Sequence, residues 1–160
     1  MWESFYPFFE WHYDSWLGTW ISGSIWLFPA FETMHILAMA IMLAGIFVVN
    51  CRLVGICMRQ FPMPLVAKTL APYVNWGLII MVLSGYAMFA SEAEKSYYND
   101  GFKFKMASLG LVILFQYTLY RSVTKRTDNE RGFVLSFLVA FTSSLLWLCV
   151  GAGGRAIGFV

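Results

Sequence analysis

Four apolar runs, each close to the length that crosses a bilayer, decide what this chain can fold into. They cover about Ile25 to Val49, Leu70 to Ala90, Phe104 to Tyr120 and Gly132 to Val150. About 20 residues of α-helix traverse the roughly 30 Å of hydrocarbon in a membrane. The chain is 59% hydrophobic and only 12% charged, whereas a soluble domain carries about 25% charged residues. Too few polar groups remain to cover a surface in water. The predicted fold class is therefore all-α: an integral membrane four-helix bundle with an N-terminal interfacial amphipathic helix. No internal repeat or linker divides it, so residues 1–160 read as a single membrane domain, with residues 1–24 as an aromatic arm.

Charge sets the direction of the spans. The loop after the first run carries Arg52, Arg59 and Lys68 without an acid. The loop after the third carries Arg121, Lys125, Arg126 and Arg131 against Asp128 and Glu130. Both loops are expected in the cytoplasm. The arm is acidic, with Glu3, Glu10 and Asp14, and the loop after the second run is balanced. Both are expected outside, which puts both termini in the periplasm of a multi-pass bacterial inner-membrane protein. A positively charged leader is not evident, so insertion is expected to use the spans themselves.

The arm gathers Trp2, Phe5, Tyr6, Phe8, Phe9, Trp11, Tyr13, Trp16 and Trp20. Tyr6, Phe9, Tyr13, Trp16 and Trp20 follow three-four spacing, which predicts one helix with an aromatic stripe. Trp and Tyr favour the headgroup region, so the helix is expected to lie on the outer surface as an anchor, a lid or an oligomer contact. His12 reads as an interfacial residue.

Within the first run stand Glu32 and His35. An acidic group at the centre of a membrane helix costs about 2.5–3.5 kcal/mol on insertion scales, so such residues need a partner. Their spacing of three puts them on one helix face. The direction of the spans brings Glu92, Lys105 and Arg155 to the same outward side, and the five residues are candidates for one pocket. Several readings stay open for the pair. Glu32 and His35 can tie the bundle together structurally, with Lys105 as the ion-pair partner of Glu32. His35 can ligate haem iron axially. It can also bind copper beside the thioethers of Met39 and Met42, which are otherwise core filler. A di-iron centre would need a second Glu-x-x-His and further carboxylates.

Other classes are poorly served. Cys51, Cys57 and Cys149 form no CxxC motif and read as inert thiols. GAGGR near the C-terminus has no preceding strand, which removes a phosphate loop. A net charge of +2 gives no sign of nucleic acid.

The segments FPAFETMH, NCRLVG, SGYAMFASEAEKSYYNDGFKFKM and GRAIGF, together with Gly45, resemble an uncharacterised bacterial family of four-span membrane proteins with an FPxxExxH signature. Asn50 stands where that family often has an acidic residue. More distantly, His35 and the Lys105 of FKFKMASLGLVILFQY resemble the HemJ-type membrane protoporphyrinogen oxidase, and the helical design is comparable to the copper-resistance D family. The HemJ resemblance implies His35 as a haem ligand and Lys105 as its functional partner. This chain has Gln116 and Tyr117 near where the HemJ pattern carries a second His.

The resulting expectation is an outward-facing buried polar site that binds haem b, or alternatively copper, in a redox role. The site residues are His35, Glu32, Lys105, Glu92 and Arg155, with His35 as the metal ligand. The alternative is a non-catalytic accessory subunit of a larger membrane complex, and a third reading is a small transporter or proton relay. The expected partners are the lipid bilayer and either further copies of the chain or other subunits. Whether the protein is an enzyme stays open.

Overall fold

The computed structural model describes residues 6–127, 130 and 132–159. Trp2, Glu3 and Phe5 of the arm, and Asp128 and Arg131 of the loop after the third run, lie outside the described residues. Every element among the described residues is helical. The order is α1 (Tyr6–Tyr13), α2 (Trp16–Ser22), α3 (Leu27–Val54), α4 (Met63–Ser91), α5 (Ala93–Tyr98), α6 (Asp100–Phe115), a π-helical turn (Gln116–Tyr120), α7 (Arg121–Thr124), α8 (Phe133–Ala156) and a 3₁₀ turn (Ile157–Phe159). Three helices are long and apolar enough to cross a membrane: α3, α4 and α8 with its 3₁₀ tail. This makes the chain a helical membrane protein.

The ends of these helices follow local chemistry. Helix α3 stops at Gly55, which takes a left-handed φ of 80° that favours glycine, and the Gly55 and Ile56 N–H groups close back onto the Arg52 and Cys51 carbonyls. Helix α4 opens with Pro64 in its first turn, where a missing N–H costs little. Asn99 caps α6 by accepting from the Phe102 N–H at 3.0 Å.

Two regions differ from the sequence expectation. The arm is not one helix. It breaks at Asp14–Ser15, where the Ser15 hydroxyl donates to the His12 carbonyl and accepts the Gly18 N–H that opens α2. Phe9 then packs inward while Trp16 and Trp20 stack on each other at the surface. The third apolar run is also interrupted. Its backbone is helical from Asp100 to Thr124, but the π turn at Gln116–Tyr120 divides it. The Tyr117 hydroxyl reaches Asn75 of α4 and the Tyr120 hydroxyl reaches Asn50 of α3. A π turn re-aims side chains in this way and often marks a functional position.

The long helices form two antiparallel pairs. Helix α3 packs along α4, and α6 packs along α8, while α3 against α8 joins the pairs. Glycine makes both pairings close. A Cβ on Gly77 would sit 2.8 Å from the Met42 Cβ, and one on Gly153 would sit 3.0 Å from the Lys105 Cα. Small residues at such seams let helix backbones approach where lipid gives no hydrophobic drive. Helices α4 and α6 hardly meet along most of their length. They are joined by the Phe89–Phe102 stack near one end and by the Asn75–Tyr117 hydrogen bond near the other.

Candidate functional site

Facing into the bundle from α3, His35 lies half-buried against α4. Its Nδ1 is 3.0 Å from the Ser84 Oγ. The Ser84 hydroxyl donates to the Ile80 carbonyl at 2.7 Å, so its oxygen is the acceptor toward the imidazole. The Met81 carbonyl, which can only accept, is also close to the ring. With the Ser84 hydroxyl donating to Ile80, the tautomer that satisfies the Ser84 contact carries its proton on Nδ1. In the neutral ring that leaves the lone pair on Nε2, the arrangement in which histidine serves as a ligand or a base. Gly85 makes room for the ring, since a Cβ there would come within 3.1 Å of the His35 Cε1.

Across the bundle, Lys105 of α6 is the cation of this site. Its stem lies over Gly154 of α8, where a Cβ would be 3.6 Å from the Nζ. The ammonium is close enough to act electrostatically on His35. Among the described residues it has no ion-pair partner. Trp147 of α8 belongs to the same buried cluster as Ala38, three residues after His35, and Met81, three before Ser84. Its indole N–H is buried with no hydrogen-bond partner among the described residues.

The remaining sequence candidates do not join this group. Glu32 is exposed on α3 and forms no ion pair with Lys105, contrary to expectation. Three residues of helix fall about 60° short of a full turn. That offset points His35 inward and leaves Glu32 on the outside. Glu92 bonds instead to Lys95 at 2.7 Å, and this bond holds the Lys95 ammonium above its usual pKa. Arg155 is exposed, with its guanidinium 4.8 Å from the centre of the Phe159 ring. Met42 is fully buried in the core and Met39 packs against that core, as filler would. Among the described residues, no three His, Cys, Asp or Glu side chains gather to hold a metal ion. Cys51, Cys57 and Cys149 are free thiols.

Three polar features take surroundings that the sequence did not forecast. His12 is buried, with Nδ1 2.8 Å from the Phe8 carbonyl and Tyr86 and Phe89 of α4 around its ring. Asn50 accepts from Tyr120 at 2.9 Å and donates to Ser144 at 3.0 Å, which ties α3 to the π turn and to α8. The Gln116 Oε1 is buried without a partner among the described residues. The aromatic density of the arm and the Asn50 position pointed toward two of these, but neither signal names a partner on another helix.

Fold and site together define a helical membrane protein with a half-buried histidine on α3 and a half-buried lysine on α6. The chain belongs to a family of unknown function, DUF6644, whose model matches residues 8–160. Neither a curated protein nor a solved structure matches it.

Proposed function

We propose that the protein is a four-span bacterial inner-membrane protein, with both termini in the periplasm, that binds haem b through His35 in a redox role. The observation that carries this reading is the contact of the His35 Nδ1 with the Ser84 hydroxyl. Iron-ligating imidazoles generally donate their second N–H to a carbonyl, carboxylate or water, which orients the ring. Here the Ser84 hydroxyl would take that role, which leaves Nε2 for the metal. A porphyrin supplies four of the iron ligands, so one protein nitrogen suffices where no cluster of three ligating residues exists. Lys105 would meet a propionate. The cofactor would supply one-electron chemistry, and the protein would supply orientation and charge compensation. Copper is the weaker alternative, because Met42 is taken up by core packing.

The fourth span in this reading is the helical backbone from Asp100 to Thr124. At 1.5 Å per residue it is about 37 Å long, and spans accommodate local π adjustments. The arm is read as interfacial: α1 and α2 lie against the end of α4 while Trp16 and Trp20 face outward at headgroup depth.

The test is the visible spectrum of protein purified from its native membrane. A Soret band is expected. His35→Ala should abolish it while the helical circular dichroism remains, and Lys105→Ala should reduce occupancy. Wild-type protein with neither a chromophore nor stoichiometric iron would overturn the haem reading. The accessory-subunit reading would then lead. It draws its own support from Glu32, an exposed carboxylate near the start of α3 that a partner chain could cover.

A further inference from the structure

The basic end of the bundle holds a second feature, independent of His35. A cavity of about 380 Å³ opens between α3, α4 and the π turn with α7. That volume falls within the range of small-molecule sites, roughly 300–1,000 Å³. Its floor is apolar, with Ile46 and Val74 among the lining residues. It lies where α4 and α6 part company, so its side faces the lipid. We propose that this cavity is a binding site for an anionic phospholipid of the surrounding bilayer, with an acyl chain in the cavity and the phosphate at its rim.

Charge selects the head. Lys68 of α4, Arg121 of α7 and Lys125 just after it all line the opening, and among the described residues no Asp or Glu does. Among the described residues none of the three cations has an ion-pair partner. An uncompensated cluster of this kind at the edge of a span attracts anionic headgroups, at about 1 kcal/mol or a factor of about five per cation. All three sit at the same end of their helices, which places them at one depth.

A polar rung lies deeper. Asn75 is seven residues beyond Lys68 and Gln116 five before Arg121, which is about 7–10 Å of helix toward the middle. Tyr117 donates to the Asn75 Oδ1, but the Gln116 oxygen is buried with no partner among the described residues. A buried, unpaired amide costs about 1–3 kcal/mol unless something meets it. The ester carbonyls of a phospholipid hang below the phosphate toward this depth. Gln116 lines the cavity, and an amide meets such an acceptor through its NH₂. A free phosphate would reach only the rim and leave both the apolar floor and Gln116 unused. The π turn thus has a use: it sets Gln116 on the cavity wall while Tyr117 and Tyr120 reach the neighbouring helices.

The experiment is native mass spectrometry together with thermal melts of the full chain in detergent. It compares phosphatidylglycerol, phosphatidylcholine with the same acyl chains, and inorganic phosphate. One retained phosphatidylglycerol with a raised melting temperature is expected, and no comparable effect from the other two. The double variant Lys68→Gln with Lys125→Gln should weaken that retention about twenty-five-fold, at about fivefold per cation. Arg52, Arg59, Arg121 and Arg126 remain to hold the chain's orientation. Ala71→Phe keeps every charge and fills the cavity, and it should also abolish retention. Equal retention of the two lipids would overturn the proposal, as would phosphate reproducing the effect of phosphatidylglycerol. So would retention unchanged in Ala71→Phe protein that melts like wild type.

Discussion

Replacing Gly77 by alanine puts a methyl group where α3 already stands. The new Cβ would lie 2.8 Å from the Met42 Cβ, 3.0 Å from the Ala38 carbonyl oxygen and 3.3 Å from the Met42 Cα. Two of these three atoms are backbone and the third is the root of a fully buried side chain, so no rotamer change relieves the contact. The helices must separate, and overpacking of this kind costs about 1–3 kcal/mol. Alanine also gains about 1 kcal/mol over glycine as a helix former. The net expectation is a loss of up to about 2 kcal/mol, or a melting temperature up to about 8 °C lower at 2–4 °C per kcal/mol. Gly110 of α6 is the internal control, because a Cβ there meets nothing within 4 Å. Gly110→Ala keeps the propensity gain without the clash and should melt up to a few degrees higher. Both variants are melted in the same detergent by circular dichroism. Should the two shift together in either direction, the close α3–α4 seam is not what stabilises the pair.

Two further outcomes follow from the polar contacts. Tyr120→Phe leaves the Asn50 Oδ1 buried without its donor and should cost about 1–3 kcal/mol in the same melts; a shift indistinguishable from zero would remove that network from the account of stability. Glu32→Gln and Lys105→Met should be additive in a double-mutant cycle, within about 0.5 kcal/mol, because the two side chains form no ion pair. A coupling above about 1 kcal/mol would restore the pair that the sequence suggested.

Much of the helical framework was legible because hydropathy is a bulk property. A run such as Leu27 to Val49 announces itself whatever it packs against. His35 was legible for the same reason, as an imidazole set in hydrocarbon. Glu32 was misjudged because spacing gives a face only to within about 60°, and that margin separates the inside of α3 from its outside. The arm was misjudged at Ser15, whose capping hydrogen bonds outweighed the continuity of the aromatic stripe. The π turn was beyond sequence reading altogether. It depends on Asn75 and Asn50 standing where Tyr117 and Tyr120 can reach them, a relation across 42 and 70 residues. Long-range pairings of this kind leave no local periodicity. His12 shows the same limit: its burial is decided by Tyr86 and Phe89 at the far end of α4.

The polar groups of the bundle gather at two depths. His35, Ser84 and Lys105 gather toward one end of the bundle, and Asn50, Gln116, Tyr120 and Ser144 toward the other. Between them lies a layer in which Met42 and Val112 have no exposed surface and Leu78 is buried. A proton or ion path needs a group at every level that can both receive and pass on its cargo. Trp147 and Ser143 contribute one polar group each to this region, yet neither has a hydrogen-bond partner among the described residues. An indole N–H donates but cannot accept, so Trp147 cannot relay a proton. Among the described residues no hydrogen-bonded chain of side chains joins the two polar levels. One end holds the His35–Ser84 contact and Lys105, and the other the basic-rimmed cavity. The α3–α4 seam through Gly77 runs between them and fixes their separation, because a helix pair packed backbone to backbone has little freedom to slide.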